Sequence, residues 1–129
     1  MTTPEEHRRN IGWTVETLQD VAKHAAEGSP LHQRAVQLLQ DAPTIEDIEA
    51  LDGAPPERVC AVIDLLEASR QLFRDAHREF DDPDVCWAIK ATLRHYPEHW
   101  HFGQWRFRVA RGDPEMGKVI LRAGDRMFG

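Results

Sequence analysis

The sequence has little cysteine and no long apolar run. Its 129 residues include 2 cysteines, which excludes a disulfide scaffold and makes a reducing cytoplasm the expected compartment. No apolar run approaches the ~20 residues of a membrane span, and the polar start of the chain lacks the apolar stretch of a signal peptide, so we expect neither feature. The length suits a single domain, and 41% hydrophobic with 29% charged residues is typical of a folded globular chain.

Familiar catalytic motifs are also missing. The chain has no glycine-rich phosphate loop, no nucleophile elbow, no two-histidine zinc helix and no Cys-x-x-Cys. Cys60 and Cys86 lie on or beside apolar helix faces, so we interpret them as inert core thiols. We therefore expect a protein that is not an enzyme and holds no cofactor.

What the sequence does contain is a series of helix starts. A capping side chain followed by proline recurs, and an acid often follows the proline, which places negative charge at the positive end of a helix. These starts are Thr3-Pro4-Glu5, Ser29-Pro30, Asp82-Pro83-Asp84 and Asp113-Pro114-Glu115, with Thr44 and Asp47 as a start without proline. Behind them apolar residues recur every three or four positions through about residue 96. The pattern predicts an all-α fold of five or six helices.

The C-terminal extension, residues 101–129, supports two interpretations. Residues 105–109 alternate apolar and basic side chains, as a strand would, and residues 118–121 could pair with them in a small β-hairpin. Helical spacing behind Pro114 instead favours a helix over 114–123. We predict that helix and leave residues 102–110 open between helix and strand.

The order of the elements repeats within the single domain of residues 1–129. At an offset of 54 residues Leu18 aligns with Leu72, and Leu39 aligns with Leu93. Each half then contains a long helix, a capped proline, a shorter helix and a proline stop. This order predicts two duplicated helical hairpins, in half-repeats 1–53 and 54–100.

Residues 1–50 carry a set of short motifs. They are the opening Met1-Thr2-Thr3-Pro4-Glu5-Glu6-His7, then Leu38-Leu39, Pro43-Thr44 and Asp47-Ile48. This part resembles a family of small uncharacterised bacterial proteins that open M-T-T-P-x-E-R and later carry L-L-x-x-Y-P-T followed by D-I. The chain departs from that pattern at His7 and Ala42. Since the family has no assigned activity, the resemblance implies a helical fold and a bacterial origin only.

Charge and aromatic residues divide unevenly along the chain. Residues 1–84 hold 18 of the 22 acidic residues and 8 of the 16 basic ones, whereas residues 85–129 hold 4 acidic and 8 basic residues. The latter part also holds seven of the ten aromatic residues. The simplest electrostatic use of an acidic front and a basic back is a match between them, within one chain or between two chains of a homodimer.

The function we predict from these features is a protein-binding module, a small cytoplasmic regulator, adaptor or inhibitor. Its candidate partner-binding residues are Trp100, Trp105, Arg106, Phe107, Arg108 and Arg111. We expect Arg106→Glu combined with Arg108→Glu to abolish partner capture and to leave thermal stability nearly intact. A nucleic-acid-binding regulator is the first alternative, with arginines on phosphates and aromatics on bases. Against it, a sequence pI near 5.6 is unusual for such proteins.

A cluster of histidines gives the second alternative, a metal-binding protein. His95, His99 and His101 lie within seven residues, and neutral imidazole is a good ligand for zinc, copper or nickel. Pro97 lies between the first two, so an unbroken helix does not align their rings. A helix-ending turn with exposed or hydrogen-bonded histidines is the competing interpretation.

Overall fold

Six helices make up most of the part of the chain that the structure describes, and no strand occurs there. The structure is a computed structural model that describes residues 4–44, 46–47, 50–94 and 96–121, with side chains from residue 12 to residue 120. The helices are α1 (Pro4–His24), α2 (Pro30–Gln40), α3 (Pro56–Glu79), α4 (Pro83–Arg94), α5 (His99–Ala110) and α6 (Met116–Leu121). The predicted all-α class is confirmed.

The helix starts at Ser29, Thr44 and Asp82 are capped as their sequences predict, while the predicted cap Thr3 lies outside the described residues. The Ser29 hydroxyl accepts a backbone N–H of the first turn of α2, and the Asp82 carboxylate accepts two at the start of α4. Thr44 and Asp47 form a reciprocal pair, in which each backbone N–H donates to the other's side chain at 3.0 and 3.1 Å. These bonds lower the pKa of the Asp47 carboxyl. Of the helix predicted behind Thr44, residues 46 and 47 are helical, and residues 45, 48 and 49 lie outside the described part.

The first four helices form a bundle. α1 packs on α2, α2 on α3, α3 on α4 and α4 on α1, while α1 also contacts α3. The pattern is symmetric between the two helix pairs: if α1 and α2 trade places with α3 and α4, the same set of contacts results. The boundaries of α1 and α2, moved by 54 residues, also fall within two residues of those of α3 and α4. Both observations support the duplicated hairpin, which stays a prediction.

The core lies between these helices and extends under α5 and α6. Leu18, Ile63, Phe73 and Ile89 are fully buried, one or two from each of α1, α3 and α4. α5 packs on α3, while α6 packs on α1 and on α5. The C-terminal helices therefore close one part of the bundle, and they have no counterpart in the duplicated order.

Residues 102–110, which the sequence left open, are helical. Phe102, Trp105 and Val109 form the buried side of α5, spaced by three and four residues, and Phe107 points to the other side. The apolar and basic alternation arises because α5 carries aromatic residues on two faces, and not because it is a strand. The predicted β-hairpin does not form within the described residues, since 105–109 and 118–121 both belong to helices.

α6 begins at Met116, later than the predicted start at 114, and residues 122–129 lie outside the described part. Gly117 explains how closely α6 packs against the turn at residues 51–53. A methyl group on Gly117 would overlap the carbonyl of Leu51, and Asp52 also lies within contact distance. Gly117 therefore lets the backbone of α6 touch the 51–53 turn, a role that its low helix propensity does not reveal.

Candidate functional site

The outer face of α5 exposes two large aromatic side chains. Trp100 is 61% exposed and Phe107 is 59% exposed. They are seven residues apart on one helix, so they lie on the same face about 10 Å apart along its axis. The Arg111 guanidinium lies over the Phe107 ring, 5.3 Å from its centroid. We call Trp100, Phe107 and Arg111 the outer face of α5.

Trp105, predicted as a binding residue, lies on the opposite side of the helix. It is 2% exposed, and its ring packs edge-on to Phe102 with centroids 5.8 Å apart. His101 lies between Trp105 and Trp100, stacked on the Trp100 ring at 3.7 Å. Trp105 is thus a core residue of α5 and offers no surface to a partner.

Two of the predicted basic residues bind carboxylates of the same chain. Arg106 of α5 bridges to α3, with its guanidinium 2.7 Å from Asp64 and 2.9 Å from Glu67. The hydrogen bond to Asp64 is the main cause that raises the pKa of Arg106. This bridge is an intramolecular match between the acidic front and the basic back.

Arg108 makes a two-point ion pair in the α5–α6 turn. Its guanidinium donates to one carboxylate oxygen of Asp113 through two nitrogens, at 2.8 and 2.6 Å. Two hydrogen bonds lower the pKa of the Asp113 carboxyl: the one from the backbone N–H of Glu115 is the larger cause, and the one from Arg108 is the smaller. Within the described residues, Arg106 and Arg108 thus have their charge balanced before any partner arrives.

The histidine cluster is only partly described, because His95 lies outside the described residues. His99 is exposed at the start of α5. His101 Nδ1 accepts the backbone N–H of Glu98 at 2.9 Å, so this ring takes part in the turn that begins the helix. No group of three or more His, Cys, Asp or Glu side chains placed to hold a metal occurs among the residues described. Metal binding stays a prediction.

A groove between α1 and α4 is a concave feature that the sequence does not predict. It has a volume of about 360 Å³, and its walls include Trp13 and Glu16 from α1 and Trp87 and Ala91 from α4. Trp87 is 71% exposed and Trp13 is 39% exposed. A signal did exist in the sequence: both tryptophans fall outside the apolar stripes that predict the buried faces of their helices.

Buried hydroxyl groups hold the two walls of this groove together. Thr17 and Thr92 share a hydrogen bond of 2.7 Å between α1 and α4. One turn away, Thr14 donates to the Tyr96 hydroxyl at 3.4 Å, and burial raises the pKa of Tyr96 well above its usual range. The tyrosine therefore stays neutral at physiological pH and acts as a structural group.

The two cysteines lie apart from the groove. Cys60 and Cys86 are free and half-buried, and the Cys86 thiol donates to the Phe80 carbonyl at 3.1 Å.

None of the helices in the described residues combines the length and apolar character that crossing a membrane requires.

Comparisons with known proteins add no relative. No protein family, curated protein or solved structure matches this chain significantly. The resemblance of residues 1–50 to a bacterial family therefore stays a prediction.

Proposed function

We propose that the chain is a non-enzymatic protein-binding module, a small cytoplasmic regulator, adaptor or inhibitor, and that it holds its partner against the outer face of α5. The observation that carries this proposal is the exposure of Trp100 and Phe107 on one helix face, at 61% and 59%. Exposed apolar patches often mark interaction sites, and tryptophan is prominent among residues that dominate binding energy.

The charge beside these aromatics indicates the partner's chemistry. Arg111 lies over Phe107 and makes no ion pair in the described part of the chain. A partner that buries both rings would also have to satisfy this guanidinium, because an unpaired buried charge is costly. We therefore expect an apolar partner surface with a carboxylate opposite Arg111.

Nucleic acid is a less favoured partner on the same observations. Phosphates would have to displace the carboxylates that already bind Arg106 and Arg108. Lys118 also lies 3.7 Å from Glu115. These pairs reduce the positive charge that the C-terminal part offers to a polyanion.

Affinity capture with matched variants tests the proposal. Wild type, Trp100→Ala/Phe107→Ala and the control Trp87→Ala, which removes an equally exposed tryptophan elsewhere, are used as baits. A partner that depends on the double variant is then purified and its Kd is measured for all three. We expect at least about tenfold weaker binding for the double variant and little change for the control.

Two results would overturn this function. The first is that no purified partner distinguishes wild type from the double variant. The second is that Trp87→Ala, which changes the α1–α4 groove, weakens binding of that partner as strongly, because the outer face of α5 is then not its specific contact. Light scattering of the pure chain identifies the case in which the partner is a second copy.

A further inference from the structure

The α1–α4 groove is a candidate for a second binding site, separate from the outer face of α5. Its length follows from the helix register. The Thr17–Thr92 bond places these two residues at one level, and Thr14 meets Tyr96 one turn along, so α1 and α4 run antiparallel. At 1.5 Å per residue, Trp13 and Trp87 stand at opposite ends of the groove, about 13 Å apart.

Small residues open the groove between the two tryptophans. Ala88 and Ala91 line it from α4, where larger side chains would fill the space. The Thr17–Thr92 pair forms a closed polar floor, since its two hydroxyl groups bond to each other. The floor therefore offers no free hydroxyl group to a ligand, and the side chains of the walls determine which ligand binds.

The walls favour a cation in the half of the groove near Trp87. Asp20 and Glu16 line the groove, and neither makes an ion pair with a described residue. Asp20 lies in the Trp87 half, whereas Glu16 lies in the Trp13 half, within about 2 Å of the level of Arg94 along the axis. Asp20 lies at nearly the level of Trp87, about 3 Å away along the axis, by the same helix rise. A carboxylate beside an exposed indole face attracts a cation by ion pairing and by cation–π interaction together.

The opposing charge lies toward the other end. Arg94 is the cationic residue that lines the groove, and it stands about 7 Å from Asp20 along the axis, in the Trp13 half. Lys23 lies one turn beyond Asp20 on α1 and does not line the groove. Glu16 lies at nearly the same level as Arg94, so their charges offset each other, and the unbalanced carboxylate of the groove is Asp20, in the Trp87 half.

The exposure of the tryptophans indicates the size of the occupant. Trp87 keeps 71% of its surface in solvent, so its ring extends beyond the groove it borders. A small ion inside the groove would leave most of that ring uncovered. A polypeptide lying along the groove would cover it, and apolar side chains on either side of its basic residue would reach both tryptophans.

We propose that the α1–α4 groove binds a basic segment of a partner protein, a helix that places an arginine or lysine between Asp20 and Trp87. This is the helix-in-groove mode of recognition, with apolar anchors packed against Trp13 and Trp87. The acidic front of the chain, with 18 of the 22 acidic residues, assists association with such a segment.

The test uses a helical peptide of about 14 residues with one central arginine and two leucines on the same face. One leucine lies one turn from the arginine, to pack against Trp87, and the other lies two turns away on the opposite side, to reach Trp13. A second peptide carries citrulline, the neutral analogue of arginine, at the central position. Binding is followed by the indole N–H signals of the four tryptophans. We expect the arginine peptide to shift Trp13 and Trp87 but not Trp100, and to bind about tenfold more tightly than the citrulline peptide.

Two charge variants separate the groove from the general acidity of the chain. Asp20→Asn should reduce binding of the arginine peptide about tenfold. The control Glu57→Gln removes one exposed negative charge on α3 outside the groove and should leave binding within about twofold at moderate salt. Neither substitution touches the core, and circular dichroism of both variants checks that the helices are intact.

Four results would overturn the proposal, three of them from the peptides and the charge variants. The arginine and citrulline peptides bind equally, or Asp20→Asn and Glu57→Gln have equal effects, or the arginine peptide fails to bind below about 1 mM. N-acetylarginine amide provides the last comparison. If it binds as tightly as the peptide, the groove is a site for a small cation and a protein segment is the wrong occupant. None of these results bears on the outer face of α5, whose residues are not involved.

Discussion

The C-terminal helices and the α1–α4 groove both carry tryptophan and charge, but they use them differently. In the C-terminal part, Trp105 packs in the core, and Arg106 and Arg108 bind carboxylates of the same chain. In the groove, Trp87 is exposed and Asp20 has no ion pair with any described residue. Three of the residues predicted for binding, Trp105, Arg106 and Arg108, are therefore structural. The other three, Trp100, Phe107 and Arg111, stay exposed on the outer face of α5.

Comparing tryptophans should give the largest difference. Trp105→Ala removes a buried ring from the core and should lower the free energy of unfolding by about 3–5 kcal/mol. Trp87→Ala and Trp100→Ala remove exposed rings and should lower it by less than about 1 kcal/mol. Denaturant unfolding of the three variants checks this. Equal losses at positions 105 and 100 would break the distinction between the two sides of α5.

A pair of glycines tests the packing of the C-terminal helices. Gly117→Ala would force α6 away from Leu51 and should destabilise the fold by about 1–3 kcal/mol. The control Gly103→Ala adds the same methyl group to α5, where no atom lies within 4 Å, and should stabilise it by up to about 1 kcal/mol. Thermal unfolding distinguishes the two signs. A stabilising Gly117→Ala would mean that α6 does not approach the 51–53 turn.

Charge reversal should affect stability as well as binding. Arg106→Glu with Arg108→Glu breaks the pairs with Asp64, Glu67 and Asp113 and replaces them with repulsion. We expect a loss of about 1–2 kcal/mol, in contrast to the near-intact stability that the sequence alone indicates. The control Arg74→Glu reverses an exposed charge without an ion pair in the described residues, and it should change stability by less than about 0.5 kcal/mol. Urea midpoints that coincide for both variants would contradict a structural role.

Acid should weaken the α5–α6 turn slightly. The pKa of Asp113 is lowered in the fold, so its contribution is present above the unfolded pKa of about 3.9 and is lost as the pH falls through the lower folded value. Asp113→Asn should therefore reduce the loss of stability between about pH 5 and pH 3. Arg108→Gln should reduce it partly, because the Glu115 N–H bond remains. An unchanged pH slope in Asp113→Asn would contradict the pairing.

Local signals in the sequence predict much of the fold. The cap at Ser29, the Thr44–Asp47 pair and the Asp82 start depend on neighbouring residues, so they are readable from a few positions. The partners of Arg106 cannot be predicted from neighbouring positions. Asp64 and Glu67 are some forty residues away, and only the packing of α3 on α5 brings them beside it.

The two proposed binding surfaces are harder to predict from the sequence for the same reason. In the sequence of residues 105–109, apolar and basic side chains alternate as in a strand. The structure shows that this alternation comes from two faces of a helix, because Trp105 is buried and Phe107 is exposed. The groove requires the pairing of α1 with α4. Without that pairing, Trp13 and Trp87 are two isolated aromatics 74 positions apart.

Helix α5 has one side in the core and one exposed side, to which we propose that a partner binds. The four tryptophans report on it in one spectrum, since each indole N–H gives its own signal. With a soluble paramagnetic agent, we expect strong broadening of Trp87 and Trp100, intermediate broadening of Trp13, and a protected Trp105. A Trp100 signal as protected as that of Trp105, or a Trp105 signal as broad as that of Trp100, would contradict the account.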